Sequence, residues 1–568
     1  MYSLNTLIHP LVSPLWYPQR IRNFVNIQYE ERTLQRPYIN CQLDYDLSYC
    51  WSYKKPIVIK APTGSGKTWF VIKKVVRRAI KRSEYVLIIT NRCPLNLSYK
   101  QELAKITGKD GLYTPEGLQG AYEFGNVYII NYQGLKSFLH THSNIKFSYV
   151  ICDECHYFLQ DATFSDCSGS ALDMIPRKFE SAIRIYISAT IDEVLPYITR
   201  AELYDCNVNC NGDVFLKNLI YPQFPTGTHL LPVIYRMDSD YSKVKLQFYE
   251  NIDFVTDYLK TQKSQVMAFC SSKKECKKIG DAIGDSLVID SPFLHSNPEV
   301  LKSLIEKEGF DEKCLATTSV FSNGNNVCKK SVRSVIITLL DQTELIQMAG
   351  RRRLDYCDSN DGFTLYLPIP TLSQLQQELH RIYQFQEDIK KCKQSPIYLM
   401  KIIKDGGEYA EQIRNVFEVD SKTEKYKINY LCEDKLYSEI KYLNFIYALI
   451  SDAGKEAYCA MIASLFGKEF DESMLFSTLE DRKEAMKSFI HEYGFPLSES
   501  EFENFKADFL TERLKLFGAA KADNTGSSRK SPGITAINRR LLELNIDIQI
   551  ERKDEAYILT DAESEVTQ

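Results

Sequence analysis

One short segment constrains this chain more than any other: Ala61-Pro62-Thr63-Gly64-Ser65-Gly66-Lys67-Thr68. The apolar run 57–59 precedes it, and apolar residues with helical spacing follow it. A strand, a glycine-rich turn and a helix in this order form a phosphate-binding loop, because backbone N–H groups and the positive end of the helix dipole then face the phosphates. The sequence therefore predicts a nucleotide site at this turn.

Every residue of this turn after Ala61 is predicted to bind the nucleotide: Pro62, Thr63, Gly64, Ser65, Gly66, Lys67 and Thr68. Lys67 would reach the β- and γ-phosphates, and the Thr68 hydroxyl would hold Mg²⁺. We expect the Lys67 side chain to project into a solvent-filled cleft. The usual formula begins with glycine where this chain has Ala61, whereas its Gly-Ser-Gly-Lys-Thr ending is intact.

Composition excludes several classes of protein. The chain has 568 residues, of which 44% are hydrophobic and 25% charged, as in folded proteins of several domains. Its formal net charge of −4 gives no overall attraction to nucleic acid, so any such binding needs local basic surface. No apolar run is long enough to span a membrane, and no signal peptide is evident. The 16 scattered cysteines indicate reduced thiols, and we expect a cytoplasmic protein.

Short apolar runs alternate with helical stretches in two successive series. The first series comprises the runs 57–60, 85–90, 127–130, 149–152 and 183–187. Apolar strands that alternate with helices predict a parallel sheet covered on both faces. We therefore predict an α/β domain at residues 51–205, preceded by an N-terminal extension at residues 1–50.

The second series predicts another α/β domain, at residues 231–370, which has no phosphate-binding loop of its own. Its runs are 233–235, 265–269, 287–289, 315–318, 335–339 and 363–367. A connector with turn signals, residues 206–230, would join the two domains.

The rest of the chain reads as helical, with a small module at its end. Residues 371–518 carry amphipathic patterns, and residues 533–562 predict one helix and a β-hairpin. Three basic pairs lie in this tail: Arg529-Lys530, Arg539-Arg540 and Arg552-Lys553. A winged-helix-like nucleic-acid module fits this pattern, and a protein-docking or capping element is the more ordinary interpretation.

Two carboxylates follow the fourth apolar run of the first series. Asp153 and Glu154 would lie at the carboxyl end of a strand next to the phosphate-binding loop, where such domains bind Mg²⁺. Asp153 would hold the metal, and Glu154 would orient and deprotonate the attacking water. An acidic pair after a strand can also be a plain helix start, but the intact loop upstream favours the catalytic interpretation.

With these two motifs the chain resembles superfamily 2 helicases and translocases of the DExH type, and the resemblance covers roughly residues 55–370. Asp153-Glu154-Cys155-His156 matches their acidic motif, and Ser188-Ala189-Thr190 follows the fifth strand as their Ser-Ala-Thr motif does. The resemblance implies an α/β fold with two tandem RecA-like domains with parallel sheets, plus a mainly helical C-terminal extension. It also implies ATP and Mg²⁺ as cofactors. Ser188, Thr190 and His156 would couple nucleotide state to nucleic-acid binding.

The resemblance also implies a nucleic-acid surface, contacted mainly through the phosphate backbone. Its residues would be Thr90, Asn91 and Arg92, then Gln133 and Gly134, and in the second domain Ser271 and Thr317. The fifth motif of the family would end at Asn323 and Gly324, which we expect to contact the nucleotide.

The segment Gln347-Met348-Ala349-Gly350-Arg351-Arg352-Arg353 resembles the sixth motif, which implies that Gln347 and the arginines face the γ-phosphate across the cleft. The usual motif ends Gly-Arg-x-Gly-Arg, whereas Arg353 and Leu354 stand at the last two places here. The arginine finger is therefore Arg351 or Arg353, and we expect Arg352 to tolerate change. A solvated basic helix face is the alternative for the three arginines.

The adenine-reading glutamine of the family has no clear counterpart, and Gln42 is a shifted candidate. The motifs together predict an ATP hydrolase: an ATP-dependent helicase or translocase acting on DNA or RNA, with a possible protein partner at its C-terminal region. The alternative is a nucleotide-gated scaffold, or the motor subunit of a defence or restriction assembly without strand separation.

Overall fold

The computed structural model describes residues 16–561, except 26, 36–37, 92, 109–111, 114–120, 205–230, 291–292, 294–295, 319–325, 355–357, 359, 420–425, 477–478, 518–532 and 554–555. The chain divides into two compact units, Met1–Met474 and Leu475–Gln568. Within the described ranges, no helix is both long and apolar enough to cross a membrane.

A nine-stranded sheet organises the first domain, in the order β1-β9-β2-β8-β7-β3-β6-β5-β4. Its strands are β1 (Glu30–Thr33), β2 (Ile57–Lys60), β3 (Tyr85–Thr90), β4 (Leu112–Tyr113), β5 (Tyr122–Phe124), β6 (Val127–Asn131), β7 (Phe147–Asp153), β8 (Ile183–Ser188) and β9 (Val233–Arg236). All neighbours are parallel except the β4–β5 and β5–β6 pairs.

The predicted parallel α/β architecture is confirmed. Side chains of the central strands alternate between two apolar clusters, one on each face of the sheet; Val58 and Val150 belong to one cluster, Ile59 and Ile151 to the other. Burial on both faces explains the continuous Val/Ile-rich runs. Because β2, β3, β6, β7 and β8 are parallel, their carboxyl ends lie at one edge, where ligands bind in such sheets.

Helices cover both faces of this sheet. They are α1 (Gln19–Val25), α2 (Asn40–Tyr49), α3 (Lys67–Phe70), α4 (Arg77–Lys81), α5 (Cys93–Thr107), α6 (Leu135–Thr141), α7 (Tyr157–Gln160), α8 (Ser168–Lys178) and α9 (Leu195–Tyr204). A π-helical segment, Val71–Val76, joins α3 to α4. It buries Val71, Ile72, Val75 and Val76.

One strand was assigned to the wrong domain. The run 233–235 was predicted to open the second series, but β9 pairs in parallel with β2, where Val233 lies opposite Ile57, and with β1. The Trp51 indole N–H donates to the Tyr235 hydroxyl at 2.9 Å, which fixes β9 in the first domain. Sequence alone places this run with the second domain, because it follows the connector and precedes the other strands of that domain. The segment predicted as an N-terminal extension supplies β1, α1 and α2 to the first domain.

The second domain contains a six-stranded parallel sheet, in the order β10-β15-β14-β11-β13-β12. Its strands are β10 (Val244–Tyr249), β11 (Gln265–Phe269), β12 (Ser286–Ile289), β13 (Cys314–Thr317), β14 (Val332–Ile337) and β15 (Phe363–Pro368). Its helices are α10 (Ile252–Thr261), α11 (Lys273–Ile283), α12 (Pro298–Lys307) and α13 (Gln342–Ala349). The edge strand β10 was missed because polar residues interrupt its apolar positions.

The region after the second domain is mainly helical, as predicted. It contains α14 (Leu372–Gln394), α15 (Pro396–Asp405), α16 (Gly407–Arg414), the hairpin β16 (Phe417–Val419) and β17 (Tyr426–Ile428), and α17 (Tyr430–Leu465). Asn429 caps α17 and also binds the first domain, where its amide donates to the Ser165 carbonyl at 2.7 Å. Helix α17 therefore begins against the first domain.

The second unit has its own apolar core. It comprises α18 (Leu479–Glu492), α19 (Glu499–Phe517), α20 (Ile534–Glu543), β18 (Ile548–Lys553) and β19 (Ala556–Asp561). Leu497 forms an antiparallel bridge to Tyr557, and the rings of Phe502 and Tyr557 stack with centroids 3.8 Å apart. The predicted helix and hairpin therefore complete the core of α18 and α19.

Truncation tests this division. A chain ending at Met474 removes the second unit whole and should remain soluble, with cooperative thermal unfolding of the first unit. A chain ending at residue 519 keeps α18 and α19 but deletes Tyr557, the stacking partner of Phe502, and the core residues of α20 and the hairpin. It should therefore bind a hydrophobic dye and lose most of its soluble yield. Equal yield and equal dye binding for the two truncations would contradict this assignment of the core.

Candidate nucleotide-binding site

The predicted phosphate-binding loop lies directly after β2. Gly64 and Gly66 have φ values of +92° and +85°, in the left-handed region that glycine tolerates best. Gly66 precedes the first residue of α3, so the N–H groups of that helix turn face the loop. The Ser65 hydroxyl donates to the Pro62 carbonyl at 2.8 Å and closes the turn. The local geometry therefore forms a cradle for an anion.

Lys67 is buried inside this loop. Its Nζ donates to the carbonyls of Ala61 at 2.9 Å and Pro62 at 3.1 Å. The expectation of a solvent-filled cleft around Lys67 is therefore wrong, because its residue exposure is only 8%. Burial lowers the pKa of the ammonium group. The charges of Glu154 and Asp153 raise this pKa, but the net shift is downward. A phosphate entering the loop would offer Lys67 a stronger acceptor than the two carbonyls.

Asp153 ends β7 beside the loop. One carboxylate oxygen accepts the Glu154 backbone N–H at 3.0 Å, and the other accepts the Tyr99 hydroxyl at 2.7 Å. Burial, together with the charge of Glu154, raises the pKa of Asp153 to about 6. Tyr99 was missed by sequence reasoning, because it lies inside α5 with no motif around it.

Glu154 adopts a backbone conformation with φ of +49°, which is rare for a residue with a side chain and marks functional turns. Its carboxylate lies 3.3 Å from His156 Nδ1 and 3.9 Å from an Arg351 guanidinium nitrogen. Burial raises the pKa of Glu154, but the hydrogen bond from His156 and the charges of Lys67 and Arg351 outweigh it, and the net shift is downward. Glu154 is therefore an ionised acceptor, able to orient a water molecule.

The predicted coupling residues form a connected chain. His156 Nδ1 lies 3.0 Å from the Ser188 hydroxyl, which also accepts the Thr190 backbone N–H at 3.0 Å. Across the cleft, the Gln347 amide nitrogen donates to the Thr190 hydroxyl at 2.7 Å. Residues of the acidic, Ser-Ala-Thr and sixth motifs thus meet, and the last bond joins the two domains.

Two of the three arginines extend from the second domain toward the first, Arg353 to the loop and Arg351 to Glu154. A Cβ atom added to Gly64 would clash with an Arg353 Nη atom, so the guanidinium covers the loop glycine. Arg353 Nε donates to the Asn326 side chain at 3.0 Å, while its Nη1 is buried without a hydrogen-bond partner. Arg351 also has a buried, unpartnered Nε. Burial, with a contribution from Arg351, lowers the pKa of Arg353 to about 10.

The middle arginine has a different environment. Arg352 forms an ion pair with Asp361, and both side chains are almost fully buried. Its Nε also donates to the Val332 carbonyl at 3.0 Å. The solvated-face alternative is excluded, and so is the expectation that Arg352 tolerates change, because removing it would take away the buried cation 2.5 Å from the Asp361 carboxylate.

The predicted nucleic-acid residues lie at the carboxyl ends of β3, β6, β11 and β13. Thr90 and Thr317 are fully buried, whereas Gln133 and Ser271 are exposed and Gly134 is half-buried. The side chain of Asn91 is 2% exposed, and both of its polar atoms lack a hydrogen-bond partner. Arg92, Asn323 and Gly324 lie outside the described residues, so their roles stay predictions.

The Gln42 side chain is bonded within the protein. Its amide oxygen accepts the Gln35 N–H at 2.9 Å, and its amide nitrogen donates to the Gln35 carbonyl at 3.1 Å. Both ends of the amide are therefore used by the backbone that precedes the loop. This pairing leaves the base-recognising residue unassigned.

Comparisons with known proteins agree with these motifs. Residues 21–193 match the family model "Type III restriction enzyme, res subunit", which covers the loop, the acidic pair and the Ser-Ala-Thr motif. No curated protein sequence matches the chain.

Solved structures give weaker similarities. Mss116p bound to ssRNA and AMP-PNP is 13% identical, with 63% of this chain and 81% of that chain covered and a TM-score of 0.39. The helicase Lhr of Mycobacterium smegmatis, bound to ssDNA and AMP-PNP, is 13% identical, with 66% of this chain and 50% of that chain covered and a TM-score of 0.38. The DEAD-box helicase Mss116 bound to ssRNA and UDP-BeF is 12% identical, with 78% of this chain and 92% of that chain covered and a TM-score of 0.40. At these scores the similarities support no conclusion about the site.

The Arg352–Asp361 pair gives a stability prediction. Arg352→Ala should destabilise the protein by about 3–5 kcal/mol, because it removes the buried partner of a buried carboxylate. Arg333→Ala is the matched control: Arg333 lies 3.9 Å from the same carboxylate, but its side chain is 40% exposed, so it should cost less than about 1 kcal/mol. Denaturant unfolding measures both changes. Equal losses in the two variants would contradict a structural role for Arg352.

Proposed function

We propose that this chain is a superfamily 2 ATP-dependent helicase or translocase that acts on nucleic acid. The observation that carries the proposal is the position of Arg353, which comes from the second domain and covers Gly64 of the phosphate-binding loop in the first. A site assembled from two domains links hydrolysis to their relative movement. A scaffold that only binds nucleotide has no need of this arrangement.

The side chains in the cleft fit a nucleoside triphosphate with Mg²⁺. Arg351 and Arg353 each have a buried nitrogen without a partner, and such donors favour an anionic acceptor. Asp153, together with the Thr68 hydroxyl, would hold Mg²⁺ beside the loop. When bound, this ion would neutralise charge on the phosphates.

Three groups would then act on the reacting phosphate. Lys67 would exchange its two carbonyl acceptors for phosphate oxygens, and Glu154 would orient the attacking water. The Arg353 guanidinium would move from its place over Gly64 to the γ-phosphate. There its charge would stabilise the transition state more than the ground state. Asn326 holds the Arg353 guanidinium by its Nε, so the finger enters from a fixed direction.

The bond between Gln347 and Thr190 would report nucleotide state to the rest of the molecule. Because it spans the cleft, it breaks whenever the domains separate. The polar residues at the carboxyl edges of both sheets would contact the sugar-phosphate backbone of DNA or RNA, which carries little sequence information. We further propose the DExH subtype, on the sequence Asp153-Glu154-Cys155-His156, and a cytoplasmic location, on the free cysteines of the described residues.

Arg353→Ala tests the assembled site. Loss of the finger should lower kcat on the order of 10³-fold. Nucleotide affinity should stay within a few-fold of wild type or rise, since the guanidinium no longer covers Gly64. Steady-state kinetics with fluorescent-nucleotide binding measures both quantities. A loss of affinity with kcat unchanged would instead mean that Arg353 binds the ground state as strongly as the transition state.

Nucleic-acid stimulation of ATP hydrolysis tests the function itself. The rate should rise several-fold with single- or double-stranded DNA or RNA, and the stimulation should weaken between low and high salt, because phosphate contacts release counterions. Glu154→Gln is the matched control and should hydrolyse ATP on the order of 10²–10⁴-fold more slowly with or without nucleic acid. A rate unaffected by every nucleic acid would favour the nucleotide-gated scaffold.

A further inference from the structure

Helix α5 carries a polar network that the catalytic motifs do not explain. Tyr99 is fully buried on this helix, and its hydroxyl donates to Asp153 Oδ2 at 2.7 Å. The Thr68 side chain also lies beside the Tyr99 hydroxyl. One tyrosine therefore contacts both residues predicted to hold Mg²⁺.

A second buried residue on the same helix contacts the strand ends. The Asn96 oxygen accepts the Thr90 hydroxyl at the end of β3, and the Asn96 nitrogen donates to the Asn131 side chain at the end of β6 at 2.6 Å. Asn96 is fully buried and lies three residues before Tyr99, so the two side chains share one face of α5.

The two strand ends that Asn96 joins are the ones predicted to contact nucleic acid in the first domain. Thr90 opens the segment that contains Asn91, and α5 begins at Cys93 directly after it. Asn131 precedes the second segment, in which the Tyr132 hydroxyl donates to the Asp153 carbonyl at 2.9 Å. The first segment is thus linked to Asp153 through Asn96 and Tyr99 of α5, and the second directly through Tyr132.

Asn91 adds an independent observation. Its amide is 2% exposed, yet neither polar atom has a hydrogen-bond partner, which is costly in a buried position. A ligand at this segment that rearranged it would let Asn91 make the missing bonds. The first turn of α5 would then move with the segment, because the helix begins two residues after Asn91.

We propose that Asn96 and Tyr99 are positioning residues that transmit nucleic-acid binding to the metal-holding carboxylate. Nucleic acid at the ends of β3 and β6 shifts α5 through Asn96, and Tyr99 turns this shift into an orientation of Asp153. In the reverse direction, Asp153 holding Mg²⁺–nucleotide fixes α5 and thereby the nucleic-acid surface. This inference rests on the proposed function and names the route by which its two ligands communicate.

The decisive quantity is thermodynamic coupling, since both ligands must change each other's affinity by the same factor. We would measure binding of a fluorescent single-stranded oligonucleotide with and without Mg²⁺ and a non-hydrolysable ATP analogue, and the reciprocal titration. Wild type should show a coupling factor on the order of 5–150. In Tyr99→Phe this factor should fall close to 1, while each ligand alone binds within a few-fold of wild type and half-saturation with Mg²⁺ moves to higher concentration.

Tyr186→Phe is the matched control. Tyr186 is a fully buried tyrosine on a strand of the same sheet, and its hydroxyl donates to the Glu202 carboxylate at 2.7 Å. It lies in the apolar cluster on the face of the sheet opposite to Tyr99. Its variant should retain wild-type coupling. A second variant, Asn96→Asp, keeps the acceptor for Thr90 but removes the donor to Asn131, and it should lose coupling without changing Mg²⁺ dependence.

Each outcome decides the question. Wild-type coupling in Tyr99→Phe, or equal loss in Tyr186→Phe, would overturn the proposal. If Tyr99→Phe does not fold, as judged by thermal unfolding, the coupling factor of Asn96→Asp decides alone. Absence of coupling in the wild-type protein would count against the proposed function rather than against these two residues.

Discussion

The site depends on charges that are held together out of water. Lys67, Arg351 and Arg353 supply three cations, and Asp153 and Glu154 supply two carboxylates, all buried or nearly so. In such surroundings each charge needs opposite charges nearby, because desolvation alone would neutralise it. The excess of positive charge is the reason the cluster suits a polyphosphate. Burial and the charge of Glu154 raise the pKa of Asp153, whereas the hydrogen bond from His156 and the nearby cations lower the pKa of Glu154.

This cluster exists because parallel strands end together. Apolar runs of β-branched residues are long enough to be buried on both faces, and each is followed by the polar residues that form the site. Sequence reasoning therefore located the loop, the acidic pair and the Ser-Ala-Thr motif, and their placement beside one another follows from the strand order β2-β8-β7-β3. The same reasoning predicted the two α/β domains and the helical region after them.

Residues outside that logic could not be predicted. Tyr99 lies on a helix with no motif, and its role depends on facing Asp153 across the layer between α5 and the sheet. Arg352 stands between two arginines of the site, and only tertiary structure shows that it turns instead toward Asp361. Strand β9 carries an ordinary apolar pattern, and which sheet it joins is decided by partners distant in sequence, such as Trp51.

Helix α13 connects these parts across the cleft. Asp341 caps its first turn and also accepts the ammonium group of Lys435, from α17, at 2.8 Å. Further along α13, the Thr343 hydroxyl donates to Glu193 of the first domain at 3.0 Å. Lys435 Nζ lies 3.5 Å from the same Glu193 side chain, so one buried cation touches carboxylates of both domains.

Because α13 also carries Gln347, its position sets the bond to Thr190 and the approach of the arginines that follow it. Separation of the domains would break the bond from Thr343 to Glu193 and would move apart the Glu193 and Asp341 carboxylates that both contact Lys435. The helical region after the second domain is therefore part of the energetics of closure: it contributes a charge that favours the arrangement in which the catalytic residues meet.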